Sequence, residues 1–313
     1  MHPRLLKTFL AVARCRNITR AAEEIHLAQS SVSDQIQTLE NELGTVLFTR
    51  SKQGLQLTPA GTTLMPYAQG ILMLAEEARA AVDVTAEHTA GSVTIGALET
   101  IASAKLARWL PDFQAARPDI ELRLTVAGSG DLMRKLKDGD IDVAFCFDRD
   151  GFDKADEHLA KRTLSAEPLI LIVPPEEAAM RGDLTALGNM RFVVTEAGCI
   201  YRHLFEKAFA EAGIVSPRLA AEVGSIGTIV RLVAAGTGLG LVPRLAVVEA
   251  LDRGEVIEMP WPGPVGTASF AMIWRRRRVQ PPALKLLLAA AGANFAPVRP
   301  ADVRPRHAVS SLS

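Results

Sequence analysis

Residues 59–89 place the tightest constraint on what this chain can become. After Thr58-Pro59, apolar side chains recur as Leu64, Ala68, Ile71, Ala75, Ala78 and Val82, at spacings of 4, 3, 4, 3 and 4. That repeat is the seam of a two-helix coiled coil. Proline fits the first helical position and Thr58 can cap it. A helix from Pro59 to Thr89 would be about 45 Å long at ~1.5 Å per residue. One helix of that length has nowhere to bury its seam except against a partner, so the segment predicts a homodimer. Pro66 falls inside the pattern, where it predicts a kink or an irregular first turn.

The residues before this helix divide into short amphipathic pieces. Met1 to Cys15 faintly imitates a lipoprotein export signal, but Lys7 splits its apolar run and Arg14 stands just before the cysteine. Leu5, Leu6, Phe9, Leu10, Val12 and Ala13 recur at helical spacing instead, which predicts a first core helix and a cytoplasmic protein. Asn17-Ile18-Thr19 offers caps for a short helix over residues 20–25, and a second helix runs from Ser30 to Leu43 with Gly44 as its stop. Val32, Ile36, Leu39 and Leu43 form the apolar stripe of that second helix. Gln29, Ser30, Ser33, Asp34 and Gln37 lie opposite, all able to hydrogen-bond base edges or phosphates. Two short helices joined by a tight turn, the second polar outward, predict a helix-turn-helix. Leu47–Arg50 and Leu55–Thr58 read as two strands around the turn Ser51-Lys52-Gln53-Gly54, a basic wing placed to touch the DNA backbone or minor groove.

At this point the chain resembles the LysR-type transcriptional regulators. The resemblance is carried by Leu5, Phe9, Val12, Ala21-Ala22, Leu27, Gln29-Ser30-Ser31-Val32-Ser33, Gln35-Ile36, Leu39-Glu40, Leu43-Gly44, Leu47-Phe48, Arg50, Leu57-Thr58 and Ala60-Gly61. It implies that Gln29, Ser30 and Ser33 face the major groove while Arg50 and Lys52 hold phosphates or the minor groove. The candidate DNA-contacting set is Arg20, Gln29, Ser30, Ser31, Ser33, Asp34, Gln37, Arg50 and Lys52. Two departures stand out. Ala28 replaces a common Ser/Thr cap, and Asp34 stands where the family often has a basic or polar side chain. That carboxylate could accept from a cytosine amino group or point to solvent.

Beyond residue 90 strands and helices alternate, the pattern of an α/β fold with largely parallel sheets. Strands are expected at 93–98, 120–126, 141–147, 169–173, 192–195, 219–223 and 239–242, with helices at 102–117, 132–137, 201–212 and 227–235. The strand at Phe270–Trp274 returns to the first set. Two lobes with two crossings between them make a hinged, cleft-bearing module, and the resemblance implies an effector domain similar to periplasmic solute-binding proteins. The domain reading is therefore a winged helix-turn-helix over 1–58, a linker helix over 59–89 and an effector domain over 90–296. Its lobe I is 90–161 with 267–296 and its lobe II is 162–266; residues 297–313 form a disordered tail.

Ligands in open α/β sheets bind beyond the carboxyl ends of strands, near helix N-termini. That rule selects the turns at Glu99-Thr100-Ile101, Gly128-Ser129-Gly130, residues 198–202 and Gly224-Ser225-Ile226. The candidate effector-binding residues are Thr100, Ile101, Ser129, Cys199, Ile200, Arg202 and Ser225, with Arg202 and His203 available to pair with an anionic group. For any single residue, a helix cap or a surface arginine is the bland alternative. Gly236-Thr237-Gly238-Leu239-Gly240 lies between a helix and a strand, with its third glycine misplaced for a dinucleotide loop, and reads as a tight turn.

Charge and cysteine usage narrow the function classes. The chain has 313 residues, is 48% hydrophobic and 22% charged, and carries no net charge, which excludes a mostly disordered or membrane-spanning protein. The zero hides a distribution: residues 1–60 carry net +2, residues 61–273 net −9 and residues 274–313 net +7. Cys15, Cys146 and Cys199 form neither a disulfide framework nor a metal cluster. Cys199 at a helix start could be redox-active, with Cys146 serving from another strand, or could simply wall the cleft. Paired with His203 it could also serve a thiol enzyme, and a free-standing solute-binding module is a further alternative. No HExxH, Walker loop or GxSxG appears. The reading is a ligand-responsive regulator without enzymatic activity, cofactor or metal. It binds double-stranded operator DNA, a small effector and RNA polymerase, and forms a homodimer that the resemblance extends to a homotetramer.

Overall fold

The computed structural model describes residues 1–51, 54–85, 91–148, 158–177, 184–211, 213–214, 217–263 and 266–296. It falls into two compact units, a smaller N-terminal one and a larger one that contains both lobes. Lys52, Gln53, the end of the expected linker at 86–89 and the tail from 297 lie outside the described residues.

The smaller unit contains helices α1 (Pro3–Cys15), α2 (Ile18–Glu24) and α3 (Gln29–Leu43), then strands β1 (Phe48–Ser51) and β2 (Gly54–Leu57) and helix α4 (Pro59–Thr85). Asn17 caps α2 by accepting from the Arg20 N–H at 3.0 Å. Ala28 gives α3 no side-chain cap, and Gly44 ends that helix in the left-handed conformation. The core gathers Leu6, Phe9, Val12, Ala21, Val32, Leu39 and Leu47. Buried within it, the Thr8 hydroxyl donates to Gln35 Oε1 at 2.6 Å and ties α1 to α3. Glu40 Oε1 accepts the N–H groups of Leu47 at 2.7 Å and Phe48 at 3.3 Å, so α3 fixes where the wing begins. The wing pairs antiparallel from Phe48↔Leu57 to Ser51↔Gly54. Its return strand is anchored to the end of α1, because the Leu55 N–H donates to the Arg16 carbonyl at 2.9 Å. Gly54 has φ +102°, and a Cβ there would lie 2.6 Å from that same oxygen.

Thr58 caps α4 by accepting from the Gly61 N–H at 3.0 Å, and the helix continues through Pro66. The seam divides. Leu64 and Ala68 are buried in the core of their own unit, whereas the seam residues Ile71 and Val82 are 36% and 66% exposed, as is Leu74, outside the seam pattern, at 64%. The expectation of one continuous partner-facing seam is thus corrected: its first two positions serve the winged fold.

The larger unit opens with β3 (Gly91–Ala97), α5 (Glu99–Ile101), a π-helical turn at Ala102–Leu106, α6 (Ala107–Ala116), β4 (Ile120–Val126), α7 (Ser129–Asp138) and β5 (Val143–Phe147). Strand β6 (Leu159–Val173) follows, then α8 (Leu184–Leu187), β7 (Arg191–Thr195), α9 (Ile200–Glu211), β8 (Arg218–Val223), α10 (Ile226–Ala234) and β9 (Gly240–Pro243). The chain ends with α11 (Val248–Asp252), β10 (Ile257–Pro260), β11 (Thr267–Arg275) and α12 (Pro282–Asn294). In lobe I, β3 runs parallel to β4 and β5, and β11 pairs antiparallel with β5. In lobe II, β7 and β8 are parallel, and β9 and β10 flank the far half of β6. Strands β6 and β11 are the crossings: β11 pairs with β6 from Leu159 to Pro168, and β6 then enters the second lobe.

The glycines at 236–240 have steric reasons, in keeping with a tight turn. Gly236 has φ +75°, and a Cβ on Gly238 would meet the Arg191 carbonyl oxygen at 2.5 Å and its carbon at 2.9 Å. There Leu239 exchanges backbone hydrogen bonds with β7, its N–H donating to Arg191 and its carbonyl accepting from Val193, both at 2.8 Å. Gly238→Ala is therefore expected to destabilise the protein by about 1–3 kcal/mol, as overpacking against immovable backbone does. Gly130→Ala, where a Cβ meets nothing within 4 Å, is expected to be neutral or slightly stabilising. Urea denaturation of the two variants checks both.

Candidate DNA interface and effector cleft

On α3 the sequence pattern separates into two faces, except that Leu43, the last residue of the expected apolar stripe, is 37% exposed. Val32, Ile36 and Leu39 are buried, while Gln29, Ser30, Asp34 and Gln37 are exposed and Ser31 and Ser33 half-buried. Gln29 Oε1 accepts the Thr19 hydroxyl at 3.3 Å, linking the two helices across their turn. Arg20 and Arg50 are exposed on α2 and β1; Lys52 lies outside the described residues. A helix with a rigid apolar back and a polar front, beside a two-stranded wing, has the form that enters a major groove.

In the larger unit the four turns selected from the sequence do come together. A cleft of 530 Å³ between the lobes is lined by Leu98-Glu99-Thr100, residues 126–131, residues 195–199, Tyr201, Gly224 and Ile226. Thr100, Ser129 and Cys199 are on its wall. Ile101 is fully buried behind Thr100, and Ile200 is buried beside Tyr201. Ser225 is the N-cap residue of α10 between two lining residues and makes no side-chain cap bond. Arg202 differs from expectation. Its guanidinium pairs with Glu206 at 2.5 Å and Glu222 at 3.3 Å rather than lining the cleft, and two carboxylates already neutralise it. His203 is exposed.

Several residues of the site are missing from the sequence reading. Thr195 and Tyr201 are 5% and 4% exposed, and Thr195 Oγ1 is buried without a hydrogen-bond partner among the described residues. Burial pushes the Tyr201 phenol well above the ordinary tyrosine range, while a hydrogen bond with the Thr100 side chain opposes the shift. The Tyr201 ring packs on Phe147 of lobe I, with centroids 5.5 Å apart. Glu99, Asp131 and Glu196 supply the charge of the lining, which contains no lysine, arginine or histidine. The Arg134 guanidinium, 2.7 Å away, holds the Asp131 carboxyl below its usual range. Thr195 ends β7, three residues before the selected turn at 198–202, and Tyr201 lies within that turn.

Cys199 is half-buried on the cleft wall, and Cys146 is buried on β5 in lobe I. Burial, with Asp148 nearby, pushes the Cys146 thiol up to about 12, so it remains protonated and inert at neutral pH. Iodoacetamide at pH 8 is expected to leave Cys146 unmodified in the native protein and to alkylate it after denaturation, as read by peptide mass spectrometry.

Comparison with known proteins agrees with this architecture. Residues 3–62 match the family model described as a bacterial regulatory helix-turn-helix protein of the lysR family. Residues 86–296 match the LysR substrate binding domain. The HTH-type transcriptional regulator YwqM of Bacillus subtilis is 34% identical over 83% of this chain and 88% of its own. The transcriptional activator IlvY of Salmonella typhimurium is 30% identical over 79% of this chain and 84% of its own. Among solved structures, full-length CbnR in complex with its target DNA superposes with a TM-score of 0.59 at 25% identity, covering 93% of this chain and 99% of that one. Full-length OxyR from Pseudomonas aeruginosa shares the fold, with a TM-score of 0.66 at 23% identity over 93% of each chain. No helix among the described residues is long and apolar enough to cross a membrane. With a winged helix-turn-helix unit, a two-lobed effector unit and both family matches in the same order, the chain belongs to the LysR family of transcriptional regulators.

Proposed function

We propose that this cytoplasmic regulator reads an interrupted palindrome with two winged units and that a small molecule in the inter-lobe cleft sets how those units are presented. The observation that carries the DNA part is α3, whose apolar back is locked in a core while Ser30, Asp34 and Gln37 stand free at its front. Ser30, Ser33 and Gln37 read base edges; Arg20 and Arg50, with Lys52, hold the sugar-phosphate backbone. Asp34 either accepts from a cytosine amino group or faces solvent. The protein acts without enzymatic chemistry of its own, in keeping with relatives that are transcriptional regulators. It acts by contact with RNA polymerase.

Two units must bind together, and the exposed part of α4 supplies the means. Ile71, Leu74 and Val82 present an apolar stripe to water, which a second α4 would cover. The dimers associate into a tetramer through the effector units. Replacing Ile71 and Val82 together by Asp is expected to release monomers in sedimentation velocity, and a variant that sediments like the parent would rule out this pairing.

The DNA reading is tested by fluorescence anisotropy with duplex from immediately upstream of the protein's own gene, against a scrambled duplex, at two salt concentrations. Phosphate contacts predict an affinity that falls steeply with salt. Gln37→Ala is expected to weaken binding to the native duplex about tenfold and to leave the salt slope unchanged. Arg50→Ala should instead weaken binding to both duplexes and lower the slope by about one. Equal binding of the parent protein to both duplexes at all salt concentrations would contradict the assignment.

A further inference from the structure

The cleft has two poles. At one, α7 and α10, helices of 10 and 9 residues, begin without a side-chain cap bond. Their first residues line the cavity, so uncapped N–H groups face it, each helix end equivalent to roughly half a positive charge. A Cβ on Gly128 or Gly130 would meet nothing within 4 Å, so a ligand can approach this backbone closely. At the other pole stand Glu99 and Glu196, exposed and without an ion-pair partner among the described residues. The remaining lining carboxylate, Asp131, is answered by Arg134. The basic side chains Lys105, Arg108, Arg231 and Arg253 line a separate groove that shares Glu99, Thr100 and Ile226 with the cleft. One orphan hydroxyl, Thr195 Oγ1, belongs to the same lining, and a buried polar group of this kind calls for a partner.

Each simple ligand class leaves one pole unanswered. A dicarboxylate or phosphate would bring its second negative charge against Glu99 or Glu196. A diamine would meet the helix ends with like charge. Resting on the reading of the cleft as the effector site, we infer that the effector is a small zwitterion of α-amino-acid type, its carboxylate at the α7 and α10 N-termini and its ammonium between Glu99 and Glu196. Leu98, Val126 and Ile226 give its side chain an apolar surface.

The full-length protein should be screened by thermal shift against the standard amino acids singly. For each hit, the acid lacking the amino group and the amine lacking the carboxylate follow at the same concentration. The expected result is at least one amino acid that raises Tm while neither truncated analogue does, with Glu99→Gln/Glu196→Gln weakening it at least tenfold by calorimetric titration. Gly130→Leu, which fills the cavity at a position with room for a side chain, should abolish binding while leaving the unliganded Tm near that of the parent. A screen with no amino-acid hit, or a hit whose truncated acid or amine binds equally, overturns the inference. If such a truncated analogue is blocked by Gly130→Leu, the cleft remains the effector site and only the ligand class falls. A hit that survives both the double Gln variant and Gly130→Leu overturns both.

Discussion

Strands β6 and β11 run side by side from Leu159↔Arg275 to Pro168↔Thr267, and the geometry of the larger unit hangs on that pairing. Past Pro168 the same strand pairs with β9 and β10, so the lobes are joined through continuous hydrogen-bonded backbone and not through loose linkers. Just before the passage sits Glu167, 6% exposed. Its carboxylate accepts the Leu245 N–H of lobe II at 2.9 Å and pairs with Lys105 of lobe I at 3.4 Å. The Lys105 ammonium also lies 5.3 Å from the centre of the Phe270 ring on β11. A buried carboxylate stripped of one partner is strongly destabilising, so this three-way bond favours one angle between the lobes.

The segment that brings Lys105 to the hinge also shapes the cleft. Glu99 to Ile101 form α5 and Ala102 to Leu106 form the π turn that carries Lys105, so Thr100 on the cleft wall and Lys105 at the hinge are separated by barely more than one helical turn. π turns inside helices occur often at functional sites, and here the turn presents its lysine to Glu167. Tyr201 makes the complementary reach, from the first turn of α9 in lobe II to Phe147 in lobe I. The groups that would feel a ligand and the groups that set the lobe angle are therefore neighbours.

Legibility in the sequence followed the range of the forces. The winged unit was readable almost residue by residue because its signals are local: the Asn17 cap, the Val32/Ile36/Leu39 stripe, the Gly44 stop and the Thr58-Pro59 start. Strand β6 shows the opposite case. Only Leu169–Val173 read as strand, because Leu159 to Pro168 holds Lys161, Arg162, Glu167 and a proline without clean alternation. Those residues are extended because β11 pairs with them and because Lys161 finds Asp148 at 2.6 Å, neither of which is visible locally. The same limit applies to Arg202, whose partner Glu222 lies twenty residues away on another element, and to the α4 seam, whose first positions were claimed by α1. The four cleft turns were found because strand ends and helix starts are local features. Tyr201 lies inside one of those turns, but its role depends on what the opposite lobe places beside it.

A ligand can move this assembly only through differential affinity for its arrangements. In the arrangement seen here Thr195 is buried with an unsatisfied hydroxyl, a group whose burial without a partner disfavours the fold by about 1–3 kcal/mol. A molecule that satisfies it while spanning the four turns gains that amount only where the lobes bring the turns together. Binding energy drawn from one lobe alone would raise affinity and leave the equilibrium between arrangements untouched. If the cleft is the effector site, as proposed above, the regulatory signal comes from contacts made to both lobes at once, at Thr100 and Ser129 on one side and at Thr195, Cys199 and Tyr201 on the other. A compound touching only one of these sets would bind without switching, and would compete with the effector.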